Sequence, residues 1–166
     1  MKVFEWFILT YRDFIIGIKN LIRWFPIIWN DRQWDHIYIY TILHKKLSLT
    51  EKYLRYNGMH TRAEKDADDI KTCILLLKRL LEDNYHETAF KRHYEKWGSP
   101  DLRLIDCKDS TCKQIHIHYD NVITDNDKEK ERKEFNSAYE HETYLREQDL
   151  DLLFKTMRKH IQGWWD

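Results

Sequence analysis

Proline and glycine are scarce in this sequence, and it has too few cysteines for a network of disulfide bonds. Only two prolines and four glycines occur among its 166 residues. Because these residues mark turns and interrupt helices, their scarcity argues against a fold built from tight turns and favours helices. The three cysteines are an odd number and do not make a disulfide framework.

An excess of positive charge is also missing. Lysine plus arginine and aspartate plus glutamate number 28 each, so the formal net charge is zero. A general coat for DNA or RNA would need a basic excess, and we therefore expect no bulk nucleic acid as a partner. A small anionic ligand held by a local group of arginine and lysine side chains remains compatible with this balance.

No long uncharged apolar run is present. Residues 3–29 are strongly apolar, but charged side chains interrupt them. The interrupting residues are Glu5, Arg12, Asp13, Lys19 and Arg23. A membrane-spanning helix needs about 20 mostly uncharged residues. We predict an amphipathic helix here, with a helix lying on a membrane surface as the alternative. No secretory leader is expected, and a cytoplasmic location is predicted.

The apolar periodicity predicts a mainly α-helical fold. Apolar residues recur in steps of three and four over residues 3–25, 32–56, 62–85, 86–97 and 128–162. Alternating apolar and polar residues at 102–106 and 114–119 indicate a β-hairpin. We therefore predict a bundle of four to five helices with a small hairpin insertion at 102–119. The length favours a single domain over residues 1–166.

Local signals place the ends of the first two helices. Pro26 lacks a backbone donor and should stop or kink the first helix. Asn30 or Asp31 could then cap the second. Gly58 should end it in the left-handed conformation. Gly17, in the middle of the first helix, costs about 1 kcal/mol relative to alanine, and either a close helix crossing or a tolerated defect accounts for it.

Two predicted helices carry polar residues within their apolar stripes. His44 and Glu51 lie seven residues apart on the second helix, and Glu142 and Asp149 have the same spacing on the last. A buried carboxylate without a partner is costly, so each should have one. If these helices pack antiparallel, the four side chains could converge. The alternative is that they lie at the rim of the helix packing, where such spacings arise by chance.

Aromatic and basic residues cluster between residues 23 and 46. Their flat rings could stack on a base, and their cations could bind phosphates. This favours a binding protein for a nucleotide-type small molecule. The predicted ligand-binding residues are Trp24, Trp29, Arg32, Trp34, Tyr40, His44, Lys45, Glu51, Glu142 and Asp149. The alternative is that the tryptophans belong to the core and the cations are solvated. The sequence specifies no cofactor and no catalytic nucleophile system.

Two further chemistries compete with simple binding. Cys107, Cys112, His116 and His118 supply four possible zinc ligands in one segment, although their spacing matches no common zinc module. The alternative is a hairpin in which the cysteines act as small apolar residues. An all-α, metal-dependent nucleotide pyrophosphohydrolase is the other hypothesis. Its candidate carboxylates are Glu51, Asp66, Asp69, Glu142 and Asp149.

The third hypothesis is a protein that acts through its outer contacts. The first predicted helix has an apolar stripe broad enough to face two neighbours or a second subunit. The paired tryptophans near residue 165 could join the same surface. This pattern favours a homo-oligomer or an inhibitor that binds another protein.

Two segments resemble small proteins of tailed bacteriophages. The segments are Trp24-Phe-Pro-Ile-Ile-Trp-Asn-Asp-Arg-Gln-Trp-Asp35 and Asp149-Leu-Asp-Leu-Leu-Phe-Lys-Thr-Met-Arg-Lys-His-Ile-Gln-Gly-Trp-Trp-Asp166. The regions around Ala63-Glu-Lys65 and Glu140-His-Glu142 are similar too, and the resemblance covers most of the chain except residues 100–127. It carries no activity to transfer. It implies a phage product in the host cytoplasm, where such proteins often counter a host defence component or capture a nucleotide immune signal.

Overall fold

The computed structural model describes residues 2–32, 34–106 and 113–165, with side chains described from Thr10 onward. Helices dominate these residues, and one antiparallel hairpin interrupts them. In chain order the elements are α1 (Lys2–Ile28), α2 (Ile37–Asn57), α3 (Ala63–Glu82), α4 (Tyr85–Trp97), β1 (Pro100–Asp106), β2 (Lys113–Tyr119), α5 (Asp125–His160) and a 3-10 turn (Ile161–Gly163). The predicted fold class, a mainly helical chain with a hairpin insertion, is confirmed.

The chain divides into two compact units, one ending at Leu77 and the other running from Lys78 to Trp165. The first contains α1, α2 and most of α3. Its buried apolar residues follow the predicted steps of three and four on α2 and α3. They are Leu47, Leu54, Ala63, Ala67, Ile70, Cys73, Leu76 and Leu77.

Helix α1 does not stop at Pro26. It continues to Ile28, so the predicted end at residue 25 is wrong. Proline removes one backbone donor, but the next turn still closes, because the Trp29 amide donates to the Phe25 carbonyl at 2.9 Å. The Asn30 side chain also donates to the Pro26 carbonyl at 3.3 Å.

Helix α2 begins at Ile37, five residues after the predicted start at Arg32. The Asn30 and Asp31 amides donate to the Ile27 and Ile28 carbonyls and so extend the end of α1. The Asp35 carboxylate instead accepts a bond from the Ile37 amide at 2.9 Å. Neither predicted cap therefore starts this helix, because both residues are used in the preceding turns.

Gly58 ends α2 as predicted, but for a different reason. Its φ is −64°, so the predicted left-handed conformation is wrong. A Cβ atom at this position would lie 2.4 Å from the Leu54 carbonyl oxygen and 2.5 Å from the Ala63 Cβ. Glycine is needed because α3 begins so close to the end of α2.

The second unit is built around α4 and α5, which pack against each other. Phe90 of α4 meets Phe135 of α5 edge-on at 5.1 Å between ring centroids. Leu153 is fully buried, and Trp164 is buried beyond the end of α5. A capping box at Thr124 and Asp127 starts α5 at Asp125, three residues before the predicted start.

The two strands form the predicted hairpin. Leu102 pairs with Ile117 and Asp101 with His118 in the antiparallel register. Most of its side chains are exposed, and Tyr119 at its end is buried. No helix in the described part of the chain is long and apolar enough to cross a membrane.

Candidate functional site

The tryptophans of the predicted ligand site are largely open to solvent. Trp29 is 71% exposed and Trp34 83%, whereas Trp24 is half-buried. Arg32 is exposed as well, and its guanidinium donates to the Asp31 carbonyl at 3.1 Å. Two of the three rings are therefore not core residues, and their faces are available to a ligand or a partner.

The predicted residues of α2 are less exposed. Tyr40, His44 and Lys45 are half-buried. Glu51 has the partner that its position requires, because the Arg55 guanidinium donates to it at 2.5 Å. Arg55 also reaches Asp68 of α3 at 2.9 Å. The hydrogen bonds that Arg55 donates to Glu51 and, to a lesser extent, to Asp68 raise the pKa of Arg55, so this α2–α3 link keeps its charge.

Asp149 is the most buried of the predicted carboxylates, at 3% exposure. The Tyr85 hydroxyl donates to it at 2.6 Å, and the Arg79 guanidinium lies 3.0 Å away. Burial first, and then the hydrogen bond with Asp149, raise the pKa of Tyr85. The phenol therefore keeps its proton, and a buried charge is held by one cation and one neutral donor.

Glu142 lies between a histidine and an arginine. His86 Nδ1 is 3.0 Å from one carboxylate oxygen, and Arg146 donates to the other at 3.0 Å. Arg146 also reaches Asp83 at 2.9 Å. These bonds raise the pKa of Arg146, with the Asp83 bond contributing most.

The prediction that each carboxylate of the two stripes has a partner is thus confirmed, whereas the predicted meeting of the four residues is a separate question. Glu51, Glu142 and Asp149 each bond a basic side chain within their own unit. Glu51 belongs to the first unit and the other two to the second. Convergence of all four residues on one ligand stays a prediction.

A groove of about 430 Å³ runs between α4 and α5. Arg92 and Lys96 line it from α4, and Ser137 and His141 line it from α5. His141 stacks on Tyr144 with the two rings 16° from parallel. The groove therefore combines cationic side chains, a hydroxyl and a flat ring on two neighbouring helices.

His93 forms the floor of this groove and is only 4% exposed. Neither ring nitrogen makes a hydrogen bond within the described residues. The nearest carboxylate oxygen, on Glu131, lies 3.4 Å from Nε2. Aromatic rings surround the imidazole on several sides, and they belong to Phe90, Tyr94, Tyr119 and Phe135. Burial lowers the pKa of His93, so the ring is neutral at pH 7.

Among the described residues, Glu134 is the carboxylate that lines the groove. It bonds the Lys96 ammonium and accepts a bond from Trp97 Nε1 at 2.8 Å. The Lys96 bond, followed by the Trp97 bond, lowers the pKa of Glu134. Lys96 is therefore partly neutralised, whereas the described ion pairs at the groove leave the exposed Arg92 guanidinium unused.

Comparison with known proteins adds no relative. No family model matches the chain, and neither does any curated protein or solved structure. Function must therefore be argued from the geometry of the chain itself.

Four of the five candidate carboxylates for a hydrolase, Glu51, Asp66, Glu142 and Asp149, lie against basic side chains. Asp66, for example, is buried, with His60 Nε2 at 3.0 Å and Arg62 at 3.4 Å. Among the described residues, no group of three or more histidine, cysteine, aspartate or glutamate side chains could hold a metal ion. These contacts fit structural ion pairs better than a magnesium site.

The possible zinc segment is described only in part. Cys107 and Cys112 lie outside the described residues. His116 and His118 are two residues apart on β2, so they share one face of the hairpin. Zinc binding by these four residues stays a prediction.

The sequence analysis missed the buried side of α4, where His93 lies under the groove. Phe90, His93 and Trp97 are buried on α4 in steps of three and four. This spacing was a readable signal, because it places a histidine in the middle of an aromatic stripe. The neighbouring Arg92 and Lys96 gave no comparable signal among the many charged residues of the helix.

Proposed function

We propose that the protein binds a phosphate-bearing small molecule of the nucleotide type in the groove between α4 and α5. The observation that carries this proposal is a concave site lined by Arg92 and Lys96 over a buried His93, whose ring nitrogens make no hydrogen bond among the described residues. Its volume of about 430 Å³ is within the range of small-ligand pockets, about 300–1,000 Å³.

The charges of the groove favour an anion. Arg92 can offer a planar, two-pronged donor to phosphate oxygens, and Lys96 adds a second cation one helical turn away. Glu134 neutralises part of that charge, so the ligand must also be held by neutral contacts. The His141 ring offers a stacking face for a base, and the Ser137 hydroxyl can bond a sugar or a phosphate.

The predicted site around Trp29, Arg32 and Trp34 is the competing location for the same ligand. Its exposed rings and cation support binding, but they do not line the groove. Because the same class of ligand could bind at either location, substituting one residue at each location tests where it binds.

Isothermal titration calorimetry with cyclic dinucleotides, adenosine diphosphate ribose and nucleoside triphosphates tests the proposal. Arg92→Gln should weaken binding roughly tenfold or more, because a charge-assisted bond is lost. Arg132→Gln, an exposed arginine of α5 that does not line the groove, is the matched control. If none of the nucleotides gives a heat of binding, the proposal is overturned.

A second pair of variants locates the site. If Trp34→Ala abolishes binding while Arg92→Gln leaves it unchanged, the ligand occupies the N-terminal residues and the groove is the wrong location. If Trp34→Ala has no effect and Arg92→Gln does, the groove is supported.

The resemblance to small phage proteins suggests what role such binding would have in an infected cell. On that basis the protein would sequester a nucleotide immune signal in the host cytoplasm, as a binder and not as a hydrolase. Chromatography of the bound ligand, released by denaturing the protein after incubation with Mg²⁺ or Mn²⁺, separates these activities. A sequestering protein returns the nucleotide intact, and recovery of hydrolysed products would contradict this role.

A further inference from the structure

The apolar side of α1 is exposed in the part of the chain that the structure describes. Tyr11 is 69% exposed, Leu21 66% and Ile22 71%. The other large exposed apolar residues of this side are Phe14, Ile18, Phe25, Ile28 and Trp29. A helix that exposes so many large apolar residues along one side is typical of an interface.

The spacing on this side points to a helical partner. Residues 11, 14, 18, 21, 25 and 28 alternate steps of three and four, which is the a and d pattern of a heptad repeat. The sequence extends the pattern backward to Phe4 and Phe7, which lie within α1. A strict repeat of 3.5 residues keeps one seam against another helix, whereas a helix on a lipid surface has no such requirement.

The charged residues of α1 avoid this seam. Arg12, Asp13, Lys19 and Arg23 all lie on the opposite side of the helix in the heptad register. The positions that flank the seam are uncharged as well, and include Ile15, Gly17, Ile22 and Trp24. The flanking positions therefore carry no charges that would select a helix of a different sequence as the partner. A uniformly apolar seam is complementary to a second copy of itself.

The exposed area is large enough for a stable pair. Eight large side chains, four of them aromatic, together offer on the order of 1,000 Å² of apolar surface per chain. A standard interface buries about 800 Å² per partner. Gly17 flanks the seam and has no side chain, so it leaves room for a second helix to approach.

We propose that α1 pairs with α1 of a second copy of this chain through the seam formed by residues 11, 14, 18, 21, 25 and 28. The partner is a second copy because a two-fold interface needs only one self-complementary surface. This inference does not depend on the groove, whose residues lie in the other compact unit.

Sedimentation equilibrium with one double-charge variant and one single-charge variant tests the pairing. Phe14→Glu combined with Leu21→Glu places two carboxylates on the seam, and Ile16→Glu places one on the opposite side. All three positions are exposed within one chain, so circular dichroism should show folded protein in each case. The original chain and Ile16→Glu should be dimers, and the seam variant should dissociate roughly a hundredfold more readily.

Three outcomes would overturn the pairing. The original chain could be monomeric at tens of micromolar. Ile16→Glu could dissociate as readily as the seam variant. The original chain could sediment as a monomer and bind vesicles of phosphatidylglycerol and phosphatidylcholine, which would assign the same surface to lipid. Nucleotide calorimetry on the seam variant keeps the two proposals apart, because binding in the groove should survive the loss of pairing.

Discussion

Asp149 shows how a single buried charge constrains its surroundings. The carboxylate is 3% exposed and is held by Tyr85 and Arg79 at 2.6 and 3.0 Å. The sequence analysis left two interpretations of this residue, a buried group with a partner or a group at the rim of the helix packing, and the structure agrees with the first. The sequence could not name the partners, which come from α3 and α4, some 64 to 70 residues away along the chain.

Removing the Tyr85 hydroxyl should destabilise the protein. Tyr85→Phe leaves the ring in place but takes one donor from a buried carboxylate, and we expect a loss of about 2 kcal/mol in the free energy of unfolding. Urea denaturation followed by circular dichroism measures it. Tyr139→Phe, at a position that is 60% exposed, is the control and should change stability by less than about 0.5 kcal/mol. Equal effects of the two variants would contradict the buried role of this bond.

His93 should make stability depend on pH. Its pKa is lowered mainly by burial, so the folded state keeps the ring neutral while the unfolded chain takes up a proton below about pH 6.5. The unfolded state then binds more protons, and stability falls as the pH falls from 7 to 5, by at most about 1.4 kcal/mol per pH unit. His93→Gln should therefore cost less at pH 5 than at pH 7.

Urea denaturation at several pH values checks this sign. His116→Gln, which removes an exposed histidine of the hairpin, is the control, and its curve should run parallel to that of the original chain. A His93→Gln curve that also runs parallel would show that burial of this imidazole does not set the pH dependence.

Among the elements, α1 and α2 show what local sequence signals can and cannot predict. The apolar periodicity located both helices, because steps of three and four reflect the geometry of a helix itself. The boundaries were wrong at Pro26 and at Arg32, since a proline near a helix end costs one bond and Asn30 and Asp31 were already used in the preceding turns. Competition between neighbouring turns for the same backbone groups is not visible in the sequence.

Two glycines of the first unit should respond to alanine in opposite directions. Gly58→Ala forces a Cβ to within 2.5 Å of Leu54 and Ala63 atoms, so we expect a loss of about 2 kcal/mol. Gly17→Ala meets no atom within 4 Å and should add about 1 kcal/mol of helix stability within a single chain. Urea denaturation measures the first, and the helical signal at 222 nm during heating measures the second. Similar behaviour of both variants would contradict these local geometries.

At the scale of the whole molecule, the sequence predicted the helical fold and the hairpin better than it predicted a site. The pattern of apolar and polar residues shows which faces of a helix or strand are apolar, and this is enough to predict the fold class. A site depends on which distant residues the fold brings together, as it does with Arg92 and His141, which line the same groove. The same limit applies to α1: its apolar stripe was evident in the sequence, but only the structure shows that these side chains are exposed among the described residues.

Pairing through α1 should couple thermal stability to protein concentration. Because association favours the folded chain by mass action, each tenfold increase in concentration should raise the melting temperature by about 2–4 °C. Circular dichroism between micromolar and hundred-micromolar protein measures this shift. Ile16→Glu should keep it, whereas Phe14→Glu combined with Leu21→Glu should abolish it by placing charges on the seam. A melting temperature independent of concentration in the original chain would leave the apolar side of α1 without a second copy to bury it.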